Sequence, residues 1–425
     1  MNRSVLRLLG ALAVSVVFAA CSDAETNENA CYDPLAAGCG QGGAGGAGGA
    51  GDTCGAPGVQ PTTFLEAKYT AGSVDYAWAW NHEITCVSAL AKAFDWTAVE
   101  AASKPGTLIA EQLNALEVEF STGAEAKKRS PKALFTLGLS IGKTSGGDAT
   151  KNALALQHIE KSLLVLTELY AFHELAEAVA ATVPADATKE IDAAVIMFAT
   201  LEARFIKRSA SEVKDLWGAG STLITNDGLA AKTGEMFAVA REKYATAAPD
   251  AKAALEAARV YATKYYYASV LNYANVVATD LAAGATGEVA MVEGGTFSEG
   301  LSTGFFGTSD VDAAPMRGLW TGPAAGVTVA AMRPVAIGVY AKLTTKAASY
   351  YTLPEQPELS GMLVSAGQIQ GSVEVLSEAL TASGADLAAL RMKAADLVAK
   401  SAANDLASAA PLAAELDAAI ALAVK

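Results

Sequence analysis

The sequence predicts an all-α fold: a multi-helix bundle, with room for two packed helical halves, behind a disordered glycine-rich tether. Three observations carry this. Hydrophobic residues make up 52% of the chain and are dominated by alanine, which suits close-packed helices better than strands. Apolar side chains recur at spacings of three and four over long stretches. Glycine is concentrated in one run, Gly40–Gly51, where large apolar side chains are almost absent.

Positions 1–20 read as a signal peptide. Arg3 and Arg7 supply a basic start, and the apolar run Leu8–Phe18 falls short of the ~20 residues a membrane-spanning helix needs. The run ends in Phe18-Ala19-Ala20-Cys21, which resembles a bacterial lipobox, with Phe18 where leucine is usual. The expectation is cleavage before Cys21 and lipid on that cysteine, since more than one acyl chain gives stable anchoring. The alternative is an ordinary secretory signal with an incidental cysteine, but that cleavage would set bulky Phe18 where a small residue is preferred. Ser22 favours the outer membrane by resemblance to enterobacterial sorting rules, and Asp23 weakens that preference slightly.

Residues 21–60 read as the lipidated linker, because a stretch so poor in apolar surface cannot offset its ordering entropy. About forty such residues span roughly 35 Å on average, which places the body near a membrane without being in one. Cys31, Cys39, Cys54 and Cys86 are an even set, as expected of disulfides in an oxidising compartment. Three pairings are possible; Cys31–Cys39 together with Cys54–Cys86 is favoured. Zinc is the rival, but no CxxC pair exists and His82 is the only histidine near any of the four.

Residues 61–425 read as the helical domain. Leu156, Ile159, Leu163, Leu166, Tyr170, His173 and Glu177 form one stripe of a long helix over 152–181, with Pro184 after its end. Ile191, Val195, Phe198, Glu202 and Phe205 repeat the pattern in a helix begun after Ala187-Thr188. Further helices are predicted over 75–94, 107–121, 212–217, 229–246, 250–283, 325–347, 359–381, 384–402 and 407–424. Residues 284–322, rich in Gly, Thr and Ser, read as a long ordered loop with Phe297, Phe305 and Phe306 as anchors.

The formal charge of −14 argues against nucleic acid and against electrostatic docking on anionic lipid, and is compatible with gathering cations. Gly138-Leu-Ser-Ile-Gly142-Lys143-Thr144 is one residue short of a phosphate-binding P-loop, and the GKTSGG stretch, 142–147, reads more simply as a flexible turn between helices. Lys127-Lys128-Arg129 reads as a solvated basic loop. Three histidines and no GxSxG elbow leave nucleophilic catalysis unsupported, and nothing singles out a carboxylate pair, so the chain is read as no enzyme.

Polar groups on apolar stripes are the more informative anomaly. His173 and Glu177 share a helical face, Glu202 sits on the matching stripe of the next helix, and Asp192 lies near that helix's start. His82 and Glu83 add a third set, with His158 on a flanking face. Buried charges are costly unless paired or ligating a cation, and inward carboxylates and imidazoles are how bundle metal sites are built. The bland alternative is a hydrogen-bonded polar layer or ion pairs with Arg204, Lys207 or Arg241.

Tyr267-Ala-Ser-Val270-Leu271-Asn-Tyr273-Ala274, followed by Leu281-Ala-Ala-Gly284, resembles a helix of the Fea-type iron-assimilation proteins, exported proteins of green algae with bacterial relatives. Glu293, Phe297, Glu299-Gly300 and Phe305 are similar to that family's following acidic and aromatic segment. Asp192-Ala193-Ala194 through Phe198 resembles its acidic-then-aromatic helix start, with Ala193 where a second acidic residue is expected. The resemblance covers residues 62–310 in patches. It implies an all-helical, non-catalytic, metal-binding periplasmic or surface protein. The candidate ligands are therefore His173, Glu177, Glu202, Asp192, His82 and Glu83 from the polar positions read above, with Glu299 added by the resemblance. Hard oxygen donors with limited nitrogen suit iron or manganese better than copper. The other class of function is a structural lipoprotein whose alanine-rich end, 384–425, docks an envelope protein.

Overall fold

The computed structural model describes residues 53–119, 130–209, 228–306, 314–354 and 357–423, so Cys21, Cys31, Cys39 and the helix expected at 212–217 lie outside the described residues. The architecture is all-α, as the periodicity indicates. The only sheet among the described residues is a small hairpin near its start, β1 (Thr63–Phe64) and β2 (Tyr69–Thr70).

Helices α1 (Asp75–Lys92), α2 (Trp96–Ala102), α3 (Leu108–Glu119) and α4 (Pro131–Lys143) lead to α5 (Ala149–Ala180) and α6 (Pro184–Phe198). Their starts are chemically marked. Asp95, Ser130 and Asp148 each accept the backbone N–H three residues on, satisfying one of a helix's orphan donors. At 32 residues α5 runs roughly 48 Å. It is buried on every side from His158 to Leu175, with α1, α3, α4, α6 and the later helices around it. A single apolar stripe was therefore the wrong expectation for its middle. The stripe also fails at the helix's end, where Glu177, placed on it, is exposed, while Leu156 near the start is half-buried.

A short 3₁₀ turn leads to α7 (Glu202–Ser209); α8 (Leu229–Ala245), α9 (Ala251–Ala262) and α10 (Lys264–Ala282) follow. The helix expected over 250–283 is broken at Thr263, whose N–H and hydroxyl both turn back to the Val260 carbonyl. The loop expected over 284–322 is instead largely helical: α11 (Glu288–Phe306) and α12 (Ala314–Thr321). Its glycines are packing sites. A side chain at Gly294 would collide with the Trp320 ring, and one at Gly300 with Glu168 and Tyr266.

A second centre forms around α14 (Leu359–Val375), almost wholly buried from Met362 to Val375. It packs against α9, α13 (Val329–Tyr350) and α16 (Leu387–Ala402); α15 (Ser377–Ala382) and α17 (Leu406–Ala423) complete the layer. The helix expected over 359–381 is interrupted at Leu376, between α14 and α15. One continuous hydrophobic cluster runs from Phe64 to Ile420 through both centres.

Besides α11 and α12, two helices lie where the sequence predicts none, α2 and α4. The P-loop look-alike lies on α4 and its cap, with Gly138 against His158 and Ala155 of α5 and Gly142 against the Trp96 ring. The turn after it, at Gly146-Gly147, is real, and both glycines have positive φ.

Candidate functional site

The seven residues expected as ligands are each held by other partners or set apart. Asp192, on α6, accepts from Arg241 Nε and Nη2 at 2.8 and 3.0 Å, from the Tyr69 hydroxyl at 2.7 Å and from the Gly72 N–H at 3.0 Å. Those bonds hold the Arg241 guanidinium above its ordinary pKa, while burial and then Asp192 push the Tyr69 phenol far up, so it remains a donor. Glu202 opens α7 and accepts the N–H groups of Leu65 and Glu66 at 3.0 and 2.6 Å. Glu83 reaches the N–H groups of Leu108 and Ile109, at the positive start of α3. Glu299 is paired with Arg317 Nε at 2.9 Å in the interior.

His82 Nε2 sits 3.0 and 3.2 Å from the carbonyls of Cys54 and Gly55. Cys54 and Cys86 beside it form a disulfide with Cα atoms 5.8 Å apart, so this favoured pairing is present and these sulfurs are not zinc ligands. His173 is buried, but Glu177, expected on the same inward face, is exposed. No group of three or more His, Cys, Asp or Glu side chains is placed to hold a metal ion among the described residues.

A different oxygen-rich cluster does form, where α1, α5 and α6 meet. The Tyr76 hydroxyl lies 2.5 Å from Glu174 Oε2 and 2.9 Å from Glu190 Oε2. One helical turn deeper, Trp80 and Tyr170 meet edge to face with ring centroids 5.2 Å apart. Tyr76 and Trp80 are i, i+4 on α1, and Tyr170 and Glu174 are i, i+4 on α5, so antiparallel packing zips both pairs together. Glu190 arrives from α6 after a connection of only three residues, 181–183. Lys189 covers the Tyr76 ring at 5.7 Å.

A phenol has one proton, so it can donate to only one of two carboxylates. Lys189 Nζ, 4.0 Å from Glu190 Oε1, supplies positive charge beside the second carboxylate. Burial, then Glu174, then Glu190 push the Tyr76 phenol far above its ordinary pKa, so without a cation its proton stays. Tyr76 is half-buried and Glu174 buried, leaving the site at the rim of the core. Nothing in the sequence marks this trio, because its members lie 98 and 114 positions apart from Tyr76 and none belongs to a motif.

The other anomalous carboxyl is Glu168, in the middle of α5. It is wholly buried, and neither of its oxygens has a hydrogen-bond partner. Burial raises its pKa well above the ordinary value and Arg259 only partly opposes this, so it stands as a neutral acid. Comparison with protein-family models, with curated proteins and with solved structures yields no match for this chain.

Proposed function

We propose that this chain is an exported lipoprotein, anchored through lipid on Cys21 to the outer membrane, whose helical body binds a hard metal cation of the iron type in metal acquisition, without catalysis. The observation that carries the reading is the phenol of Tyr76 held within hydrogen-bond reach of two carboxylates, Glu174 and Glu190. Two carboxylates and a phenol are hard oxygen donors, a set that suits iron or manganese and disfavours copper. The acidic charge of the chain favours cation capture, and the signal, tether and Fea-type resemblance agree with an extracytoplasmic role.

The test is metal retention by the purified full chain in detergent, with thermal melts in iron and in chelator. A cation that binds only the folded state at a hundred times its dissociation constant adds about 2.7 kcal/mol, a clear rise in Tm. Tyr76→Phe and Glu174→Gln are expected to weaken retention tenfold or more. No retained metal and no metal-dependent shift in the wild type would overturn the proposal.

A second reading, a docking role in the envelope, is favoured by α17. Ala407, Pro411, Ala414, Ala418 and Leu422 form an exposed apolar stripe along it. Under that reading, Ala414→Glu with Ala418→Glu abolishes co-purification of an envelope partner and leaves Tm unchanged.

A further inference from the structure

The segment from Thr53 to Gly72 is strapped to the bundle at successive points. The Cys54–Cys86 disulfide ties its start to α1. His82 Nε2 then meets the Cys54 and Gly55 carbonyls, Trp78 Nε1 donates to Gly58 O at 2.6 Å, and Gln60 bonds Gly72 O and the Val74 N–H. The hairpin follows. Its tip, Leu65-Glu66-Ala67, has φ of 54, 55 and 58°, three successive left-handed residues without a glycine. That backbone turns successive N–H groups toward one side, a concavity suited to an anion, and the Glu202 carboxylate of α7 fills it.

Glu66 therefore joins two helices. Its N–H goes to Glu202 at the start of α7, and its carboxylate accepts from Ala231 N at 3.0 Å in the first turn of α8. The tip can lie this low because α8 has glycine beneath it. A Cβ at Gly234 would stand 2.9 Å from Leu65 Cβ. Tyr69 and Gly72 add the Asp192–Arg241 junction to the same clasp.

We infer that the strap is a disulfide-guarded latch, in which the Cys54–Cys86 bond keeps the hairpin seated on the starts of α7 and α8 and its reduction by a dithiol releases them. Both cysteines are half-buried, so the bond is not sealed in the core. A thiolate of the dithiol attacks one sulfur of the disulfide, the second thiol resolves the mixed disulfide, Cys54 and Cys86 take up two protons as thiols, and the reductant leaves as its own disulfide. The strap upstream of the hairpin then keeps only exposed or half-exposed hydrogen bonds. The left-handed tip, which depends on Glu202 as Glu202 depends on it, loses its guard, and Asp192 and Glu202 lose their hairpin donors.

Amide hydrogen exchange of the full chain, oxidised and in dithiothreitol, tests this. Reduction is expected to speed exchange at least tenfold at residues 55–72, 202–205 and 229–233, while 158–175 of α5 and 362–373 of α14 hold their protection. Unchanged exchange in the strap overturns the guard. A loosened strap beside unchanged α7 and α8 starts overturns the latch, and equal loss in α5 and α14 shows a global staple instead. Glu66→Gln, with the disulfide intact, is expected to loosen the first turn of α8 alone; full protection there also overturns the latch.

Discussion

At the scale of single residues, polar groups inside this chain divide by whether they have found a donor. Asp192 has four and is a clamp. Asp192→Asn would leave the Arg241 guanidinium without its counter-charge and should cost about 2–4 kcal/mol, toward the low end of a broken buried pair because the Arg241 side chain is 35% exposed. A denaturant midpoint within error of wild type would show the clamp to be idle. Glu168 has no donor, and the linkage sign follows. Its folded carboxyl keeps its proton well above the ordinary value of 4.5, so the unfolded state loses the proton first, and stability falls as pH rises above that value until the folded group ionises. Glu168→Gln removes the penalty. It should raise Tm by about 2–4 °C at pH 8, the size of a ~1 kcal/mol effect in a large domain, and leave it unchanged at pH 4. Equal loss at both values would mean that Glu168 has a partner. Periodicity could place His173 and Glu202 on helical stripes and Asp192 near a helix start. It could not show their partners, because a backbone amide of a hairpin 136 residues away leaves no mark in sequence spacing.

At the scale of elements, glycine misled the sequence reading, for a physical reason. Gly costs a helix about 0.8–1.0 kcal/mol against Ala, so a segment holding Gly294, Gly295 and Gly300 reads as loop. Here tertiary packing overrides propensity. Gly300 lets α11 lie against Glu168 and Tyr266, and Gly367 and Gly371, one turn apart, let α14 settle on the Ala253 and Ala257 carbonyls of α9. Propensity and packing can be separated by paired substitutions. Gly338, inside α13, has open space where a Cβ would stand, so Gly338→Ala should stabilise by about 0.5–1 kcal/mol. At Gly300 the same change sets a methyl 2.8 Å from Glu168 Oε2, and the overpacking, about 1–3 kcal/mol, should outweigh the propensity gain. Chemical denaturation of both variants decides, and stabilisation by Gly300→Ala would mean that α11 has room to move. The long helices carried their own signal because alternate turns of Leu, Ile and Tyr outvote single residues. Helix α2, seven residues long, is too short for a period to register.

At the scale of the whole molecule, two features compete as the means of the proposed attachment to a membrane. One is the lipid proposed on Cys21, after a stretch that resembles a lipobox. The other is α17, whose 18 residues are long and apolar enough by composition to span a bilayer. Composition overstates that case. Alanine supplies much of the apolar character, and Ala409, Ala413, Leu416 and Ile420 are buried against the body of the protein. Mid-helix charges are engaged by neighbours, with Glu415 bound to Lys393 on α16 and Asp417 accepting from Thr344 and Thr345 of α13. Insertion of α17 would strip these partners away and carry two carboxylates into hydrocarbon, at several kcal/mol for charge alone. Cys21→Ala is therefore expected to abolish incorporation of labelled fatty acid and to move the protein from the detergent-extracted membrane fraction to the soluble one, with helical content by circular dichroism unchanged. A variant that stays with the membrane after losing its label would transfer the anchoring role from Cys21 to the body, with α17 the first element to delete.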